Sequence, residues 1–231
     1  MEIVDNPELN NIMLRYLADK YKILERREGL HLSSLVGCLT RSFYEEVNPM
    51  EPTVSEMMLF ITGYALQDVL TPKGSTTPLY KEDGITYSPD FELVIANRLK
   101  EDTFEIKSTR ISSNNPDLNE NWIEYMKGGC HMLKKRVYNL SAIHLMGNYK
   151  PPFPVLNTKT ITFTDEEIAD NWDYVLVRKE VLEEAFRNKK PPLPFQHCKE
   201  WECKYCRYKM QCEAISMVLN PDGISIRGGP Q

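Results

Sequence analysis

Three cysteines fall within ten positions near the C-terminal end, in Trp201-Glu202-Cys203-Lys204-Tyr205-Cys206-Arg207-Tyr208-Lys209-Met210-Gln211-Cys212. A Cys-x₂-Cys-x₅-Cys spacing constrains the fold because thiols so close in sequence can converge on one metal centre. The alternative is disulfide bonding, and the compartment argues against it. The N-terminus, Met1-Glu2-Ile3-Val4-Asp5-Asn6, lacks the charged-then-apolar pattern of a secretory signal. No apolar run approaches the ~20 residues of a membrane span. The expected setting is therefore soluble, cytoplasmic and reducing, where structural disulfides are rare. Both structural zinc and a [4Fe–4S] cluster ask for about four cysteines. The fourth must come from Cys38, Cys130 or Cys198. Cys198 is near enough for local geometry; Cys130 sits in an apolar helical stripe and reads as a buried small hydrophobe. Cys38 would join the two ends of the chain. Zinc ribbons usually pair two Cys-x₂-Cys knuckles, and a single knuckle followed by a lone Cys212 points to iron and sulfur.

The second constraint lies mid-chain. Tyr87-Ser88-Pro89-Asp90-Phe91-Glu92-Leu93-Val94-Ile95 and Thr103-Phe104-Glu105-Ile106-Lys107-Ser108-Thr109 are short and apolar, with a polar loop containing Asn97, Arg98, Lys100, Glu101 and Asp102 between them. This is the pattern of a hairpin. Residues two apart on a strand share a face, so Glu105 and Lys107 point together. With Asp90 across from them, two carboxylates and an ammonium converge. Such a pair suits Mg²⁺ or Mn²⁺, hard ions that take oxygen ligands and keep several waters. A lysine beside the ion can orient the attacking water or neutralise charge on a phosphate. The same residues on a solvated strand face would have no such role.

Around these two features the chain reads as helices and strands. Asn6-Pro7 opens a helix running past Leu17 to Leu24 and broken at Gly29. A second helix, capped by Ser33 or Ser34, carries Leu35, Cys38, Leu39 and Phe43 and stops before Asn48-Pro49. A third runs from Val54 to Leu70; Gly63 and Gln67 share a face there. Gly63 marks either helix packing or a close approach. Leu79-Tyr80-Lys81 is an edge strand. The polar stretch Ile111–Asn119 is a loop long enough to border a substrate groove. A helix follows from Glu120 to Lys135, and its Lys134-Lys135-Arg136 end either complements the macrodipole or holds phosphate. Val137–Met146 is a central strand, and Thr158–Phe163 alternates as a half-exposed one. Thr164-Asp165-Glu166-Glu167 is a capping box opening a helix to about Arg187. The final stretch, 220–231, is expected to be loose. A formal net charge of −5 argues against passive coating of nucleic acid, though not against a local basic patch.

Taken in order, Cys38, Gly63-x₃-Gln67, Asp90, Glu105-Ile106-Lys107 and Cys203-x₂-Cys206-x₅-Cys212 resemble the RecB-like iron–sulfur nucleases. The nearest likeness is to the CRISPR-associated exonuclease family four, with relatives in AddB-type helicase–nucleases and in phages. The resemblance spans roughly residues 30 to 215. It implies an α/β fold with a restriction-endonuclease-like PD-(D/E)XK core. That core would form a single nuclease domain over 1–219, with helices up to about residue 70 and an iron–sulfur-clamped segment at 198–212. Asp90, Glu105 and the Ile106 carbonyl would hold Mg²⁺ or Mn²⁺, with Gln67 as a further candidate, and Lys107 would assist the water. Cys38, Cys203, Cys206 and Cys212 would hold a [4Fe–4S] cluster, leaving Cys198 a bystander. The implied activity is metal-dependent hydrolysis of single-stranded or frayed DNA, with Arg41, Tyr125, Lys134, Lys135 and Arg207 toward the strand. Tyr44, Tyr64, Tyr205, Tyr208 and Lys209 are weaker candidates for the same contact. A DNA-end-binding adapter, working with CRISPR integration or helicase proteins, is the alternative. Two departures stand out: Gln67 where the family has His, and, where it has Gln-x₃-Tyr, either Tyr125-x₃-Gly129 or the shifted Asn121-x₃-Tyr125.

Overall fold

The computed structural model describes residues 4–25, 29–94, 102–193, 198–204 and 206–219. The hairpin loop at 95–101, Tyr205 and the stretch from 220 onward lie outside the described residues. In chain order the elements are α1 (Pro7–Lys20), β1 (Leu30–His31), α2 (Leu32–Val36), α3 (Leu39–Val47), α4 (Val54–Leu70), β2 (Tyr80–Glu82), β3 (Ile85–Tyr87), β4 (Phe91–Leu93) and β5 (Asp102–Thr109). They continue as α5 (Glu120–Leu133), β6 (Val137–His144), β7 (Val155–Thr162), α6 (Asp165–Asn188), α7 (Glu200–Lys204) and α8 (Lys209–Leu219).

Local chemistry sets most of these boundaries. Asn6 caps α1 by accepting from the Leu9 amide at 3.0 Å. The helix ends at Lys20 rather than reaching Leu24, because Lys22 takes a left-handed conformation and the Ile23 amide turns back to the Ala18 carbonyl at 3.0 Å. Only Leu14 and Ala18 of α1 are buried, against Met57 and Ile61 of α4. Thr53 and Glu56 form a capping box on α4, and Thr164 and Glu167 form one on α6.

The helix expected between Ser33 and Asn48 is instead two, α2 and α3, parted at Gly37-Cys38. The start is capped by the His31 ring, which accepts from the Ser33 amide. Two carbonyls freed by the break, Leu35 O and Gly37 O, accept from the buried Arg178 guanidinium of α6. An arginine in the core is thereby matched to a helix end that would otherwise lack partners. The break leaves Cys38 at the N-cap of α3 with its amide donating to Glu202 Oε1 at 3.2 Å.

A four-stranded sheet runs in the order β4-β5-β6-β7, and a smaller one in the order β1-β3-β2. In the larger sheet β4 and β7 are antiparallel to their neighbours, while β5 and β6 are parallel and joined through α5. Parallel neighbours need such a crossover. The register pairs Glu105 with Leu140, Lys107 with Ala142 and Thr109 with His144, so these six share one face. The helix α5 lies over that face, and α6 packs against α5. Between them sits the main core, with Leu32, Leu35, Leu39, Ile85, Met126, Val175 and Leu182 buried. Each such leucine contributes roughly 2 kcal/mol when fully buried. Among the described residues, no helix is long and apolar enough to cross a membrane.

Candidate functional site

The register of β4 against β5 pairs Phe91 with Phe104 and Glu92 with Thr103. One step further brings Asp90 opposite Glu105. Asp90 closes the end of this ladder: its Oδ2 accepts from the Ile106 amide at 2.6 Å, and its backbone carbonyl accepts from Thr77 Oγ1 at 3.2 Å. Its other oxygen, Oδ1, accepts from Gln67 Nε2 at 2.9 Å. Gln67 thus presents its amino group to Asp90, orienting the carboxylate from α4.

Glu105 is 2% exposed. Its Oε1 accepts from Lys107 Nζ, and its Oε2 accepts from Tyr138 Oη at 3.3 Å. Burial pushes its pKa up to about 7, against the pull of the Lys107 ammonium and with the push of the Asp90 charge. Tyr138 shares a second hydrogen bond with Tyr87, and burial holds both phenols well above the usual tyrosine range. Tyr138 therefore stays protonated and remains a donor. Two adjacent carboxylates, one of them disfavoured by burial in its charged form, make a site whose ionisation a cation would favour. Among the described residues no group of three or more His, Cys, Asp or Glu side chains is placed to hold a metal ion. Two carboxylates with a backbone carbonyl and waters are a lesser demand, and one that suits Mg²⁺.

The helix α5 covers this site. The Tyr125 ring centroid lies 5.7 Å from Lys107 Nζ, and the phenol donates to the Ser88 carbonyl at 3.0 Å. Asn121, one turn earlier on the same helix face, has a buried Oδ1 with no partner. Tyr125, which both sequence registers share, is the residue that meets Lys107. Gly129 does something else. A Cβ there would stand 2.6 Å from Tyr87 Oη and 3.0 Å from the Tyr138 ring. The glycine makes room for the two phenols beneath the helix. At Gly63 a Cβ would meet nothing within 4 Å among the described residues.

Sequence reasoning missed Glu92. It is 3% exposed and accepts from Tyr80 Oη at 2.8 Å, Thr103 Oγ1 at 2.9 Å and Lys135 Nζ at 3.2 Å. The signal was an acid inside Phe91-Glu92-Leu93. Its partners tie β4 to the end of α5 and engage Lys135. Lys134 pairs with Glu82 at 2.7 Å and Arg136 with Asp165, so the basic cluster meets carboxylates of the chain at the end of α5 remote from Tyr125. Arg41 pairs with Glu45 at 2.8 Å, and Arg207 with Glu45 at 3.0 Å and Glu56 at 3.3 Å. Tyr44 and Tyr208 stack on each other with centroids 5.5 Å apart, and Tyr208 is fully buried. Tyr64 stacks on Tyr21, and Lys209 pairs with Glu213 at 3.7 Å. Of the described candidates for strand contact, Tyr125 is the one set against Lys107.

The thiols gather elsewhere. Cys38, Cys198, Cys203, Cys206 and Cys212 line one cavity together with Arg41, Glu202 and Lys209. Cys198 Sγ lies 3.4 Å from Cys203 Sγ. A hydrogen bond from Cys198 brings the Cys38 thiol down to about 7, while burial pushes Cys212 up to about 12. Among the described residues no disulfide joins the cysteines, and Cys130 is buried on α5 within the main core.

No protein-family model and no curated protein matches the sequence. Among solved structures the chain is similar to the crystal structure of SSO0001, with 18% identity and a TM-score of 0.54 over 89% of this chain and 96% of that one. This is a likeness of fold. The alkaline exonuclease LHK-Exo from Laribacter hongkongensis matches at 14% identity and a TM-score of 0.42, over 70% of this chain and 92% of that one. A phage-related exonuclease from Haemophilus somnus 129PT matches at 12% and 0.41, over 74% and 100%.

Proposed function

We propose that this protein is a metal-dependent deoxyribonuclease acting on single-stranded or frayed DNA. The observation that carries the reading is the meeting of Asp90, Glu105 and Lys107 at one partly sheltered point on the sheet, with Glu105 buried beside a second carboxylate. Asp90, Glu105 and the Ile106 carbonyl would hold Mg²⁺ or Mn²⁺. Bound there, such an ion polarises a scissile phosphate and acidifies a water. Lys107 keeps its ammonium beside Glu105 and under Tyr125, where it neutralises charge growing on the phosphate. Tyr138 holds Glu105 in place by donating to its second oxygen. Gln67 does the same for Asp90.

The thiol cavity supports a second part of the reading. Cys38, Cys203, Cys206 and Cys212 would hold a [4Fe–4S] cluster, whose soft irons take thiolates. The cluster would tie α3 to the segment carrying α7 and α8.

End-labelled single- and double-stranded DNA, incubated with protein purified without oxygen in Mn²⁺, Mg²⁺ or EDTA, tests the activity. Metal-dependent shortening is expected, reduced at least about 100-fold in Asp90→Ala and Lys107→Ala, with both variants still folded by circular dichroism. Cutting at the normal rate by both variants would sink the assignment.

A further inference from the structure

The sheet face that carries Glu105 and Lys107 continues into a groove. Ala142, the register partner of Lys107, lies in its floor, and Thr109 is the next residue of β5 on that face. The groove therefore begins roughly 7 Å along the strand from the lysine, a step that one extended nucleotide covers. Trp122 of α5 forms one wall, and Asn157 and Lys159 of β7 form the other. The remaining rim is the segment after β5, and it is pinned. The Ser113 amide donates to the Gly147 carbonyl at 2.8 Å, and the His144 ring bonds the Ile111 carbonyl at 2.9 Å. The groove opens to solvent along its mouth.

Its chemistry selects among the parts of a nucleotide. Asp117 and Lys159 line it with opposite charges, and among the described residues the only other titratable side chain lining it is His144, whose ring is already bonded to the rim. A phosphate would call for surplus positive charge. An aromatic wall, an apolar floor and amide and hydroxyl groups at the edge suit a flat heterocycle with hydrogen-bonding edges. A paired, stacked base cannot enter a side groove without leaving the duplex. We infer that this groove is a subsite for one unpaired base of the strand whose phosphate lies at Asp90, Glu105 and Lys107. The inference rests on reading that trio as the place where a DNA strand is cut, and it supplies a structural reason for a single-stranded substrate.

The test uses short single-stranded oligonucleotides, each with one abasic residue, moved stepwise along the strand. Cutting in Mn²⁺ and binding by fluorescence anisotropy in EDTA are both read, with full-length wild type, Trp122→Ala, Trp122→Phe and Asn157→Ala. Loss of the base at one position is expected to weaken wild type about tenfold, the scale of one base stacked on an aromatic ring. Other positions should have little effect. Trp122→Ala and Asn157→Ala should flatten this dependence, and Trp122→Phe should keep it. Asn157 lies on an edge strand, so its variant decides the matter if Trp122→Ala does not fold. Cutting without any position dependence overturns the subsite and leaves the nuclease standing. Position-dependent binding with no cutting does the reverse. Binding that ignores the abasic position in wild type overturns the subsite whether or not the protein cuts.

Discussion

Glu105 is held in the folded chain with its pKa lifted from 4.5 to about 7, mainly by burial. Between those values the folded state binds a proton that the unfolded state has released, so stability falls as pH rises through this window. In EDTA, urea unfolding should show wild type losing on the order of 3 kcal/mol from this group between pH 5 and pH 8. Glu105→Gln should lack that slope while cutting nothing; equal pH slopes in the two proteins would contradict the assignment. Metal binding needs the charged carboxylate and should strengthen over the same window. The convergence of Asp90, Glu105 and Lys107 was legible because strand alternation and hairpin register are local rules. Glu92 and Tyr138 were not. Their partners Tyr80, Lys135 and Glu105 are brought in by packing that no spacing in the sequence expresses.

At the scale of the element, α5 is shaped as much by what it leaves out as by what it carries. On one face of it Tyr125 meets Lys107, and one turn later Gly129 lets Tyr87 and Tyr138 meet underneath. Gly129→Ala gains helix propensity of about 1 kcal/mol, yet must displace two fully buried phenols, an overpacking cost of about 1–3 kcal/mol. A net fall in melting temperature of a few degrees is expected, with nuclease activity reduced through the loosened Tyr138–Glu105 bond; an unchanged or raised melting temperature would mean the helix simply lifts. Helix starts were readable from their caps, as Asn6, Thr53 and Thr164 show. Helix ends were less so. The break at Gly37-Cys38 depends on Arg178, more than a hundred residues away in sequence, filling the carbonyls it exposes.

Over the whole molecule, the thiol cavity binds the first third of the chain to its last described helices. Protein with Cys206→Ser, made without oxygen, is expected to lack iron and visible absorption and to melt lower than wild type, with chelated wild type falling to match. Cys198→Ser is expected to keep its iron; loss there would put Cys198 among the ligands in place of another thiol. The contact from Cys38 to Glu202 spans 164 residues of sequence. Closing so long a loop costs little more than closing one half its length, about 0.6 kcal/mol. The larger consequence is one of timing. During synthesis the residues of β4 and β5 are made well before Cys198, Cys203, Cys206 and Cys212. The segment with the catalytic carboxylates is therefore made long before the thiol cavity can close, because Cys38 meets the other thiols of that cavity only after the last part of the chain has been made.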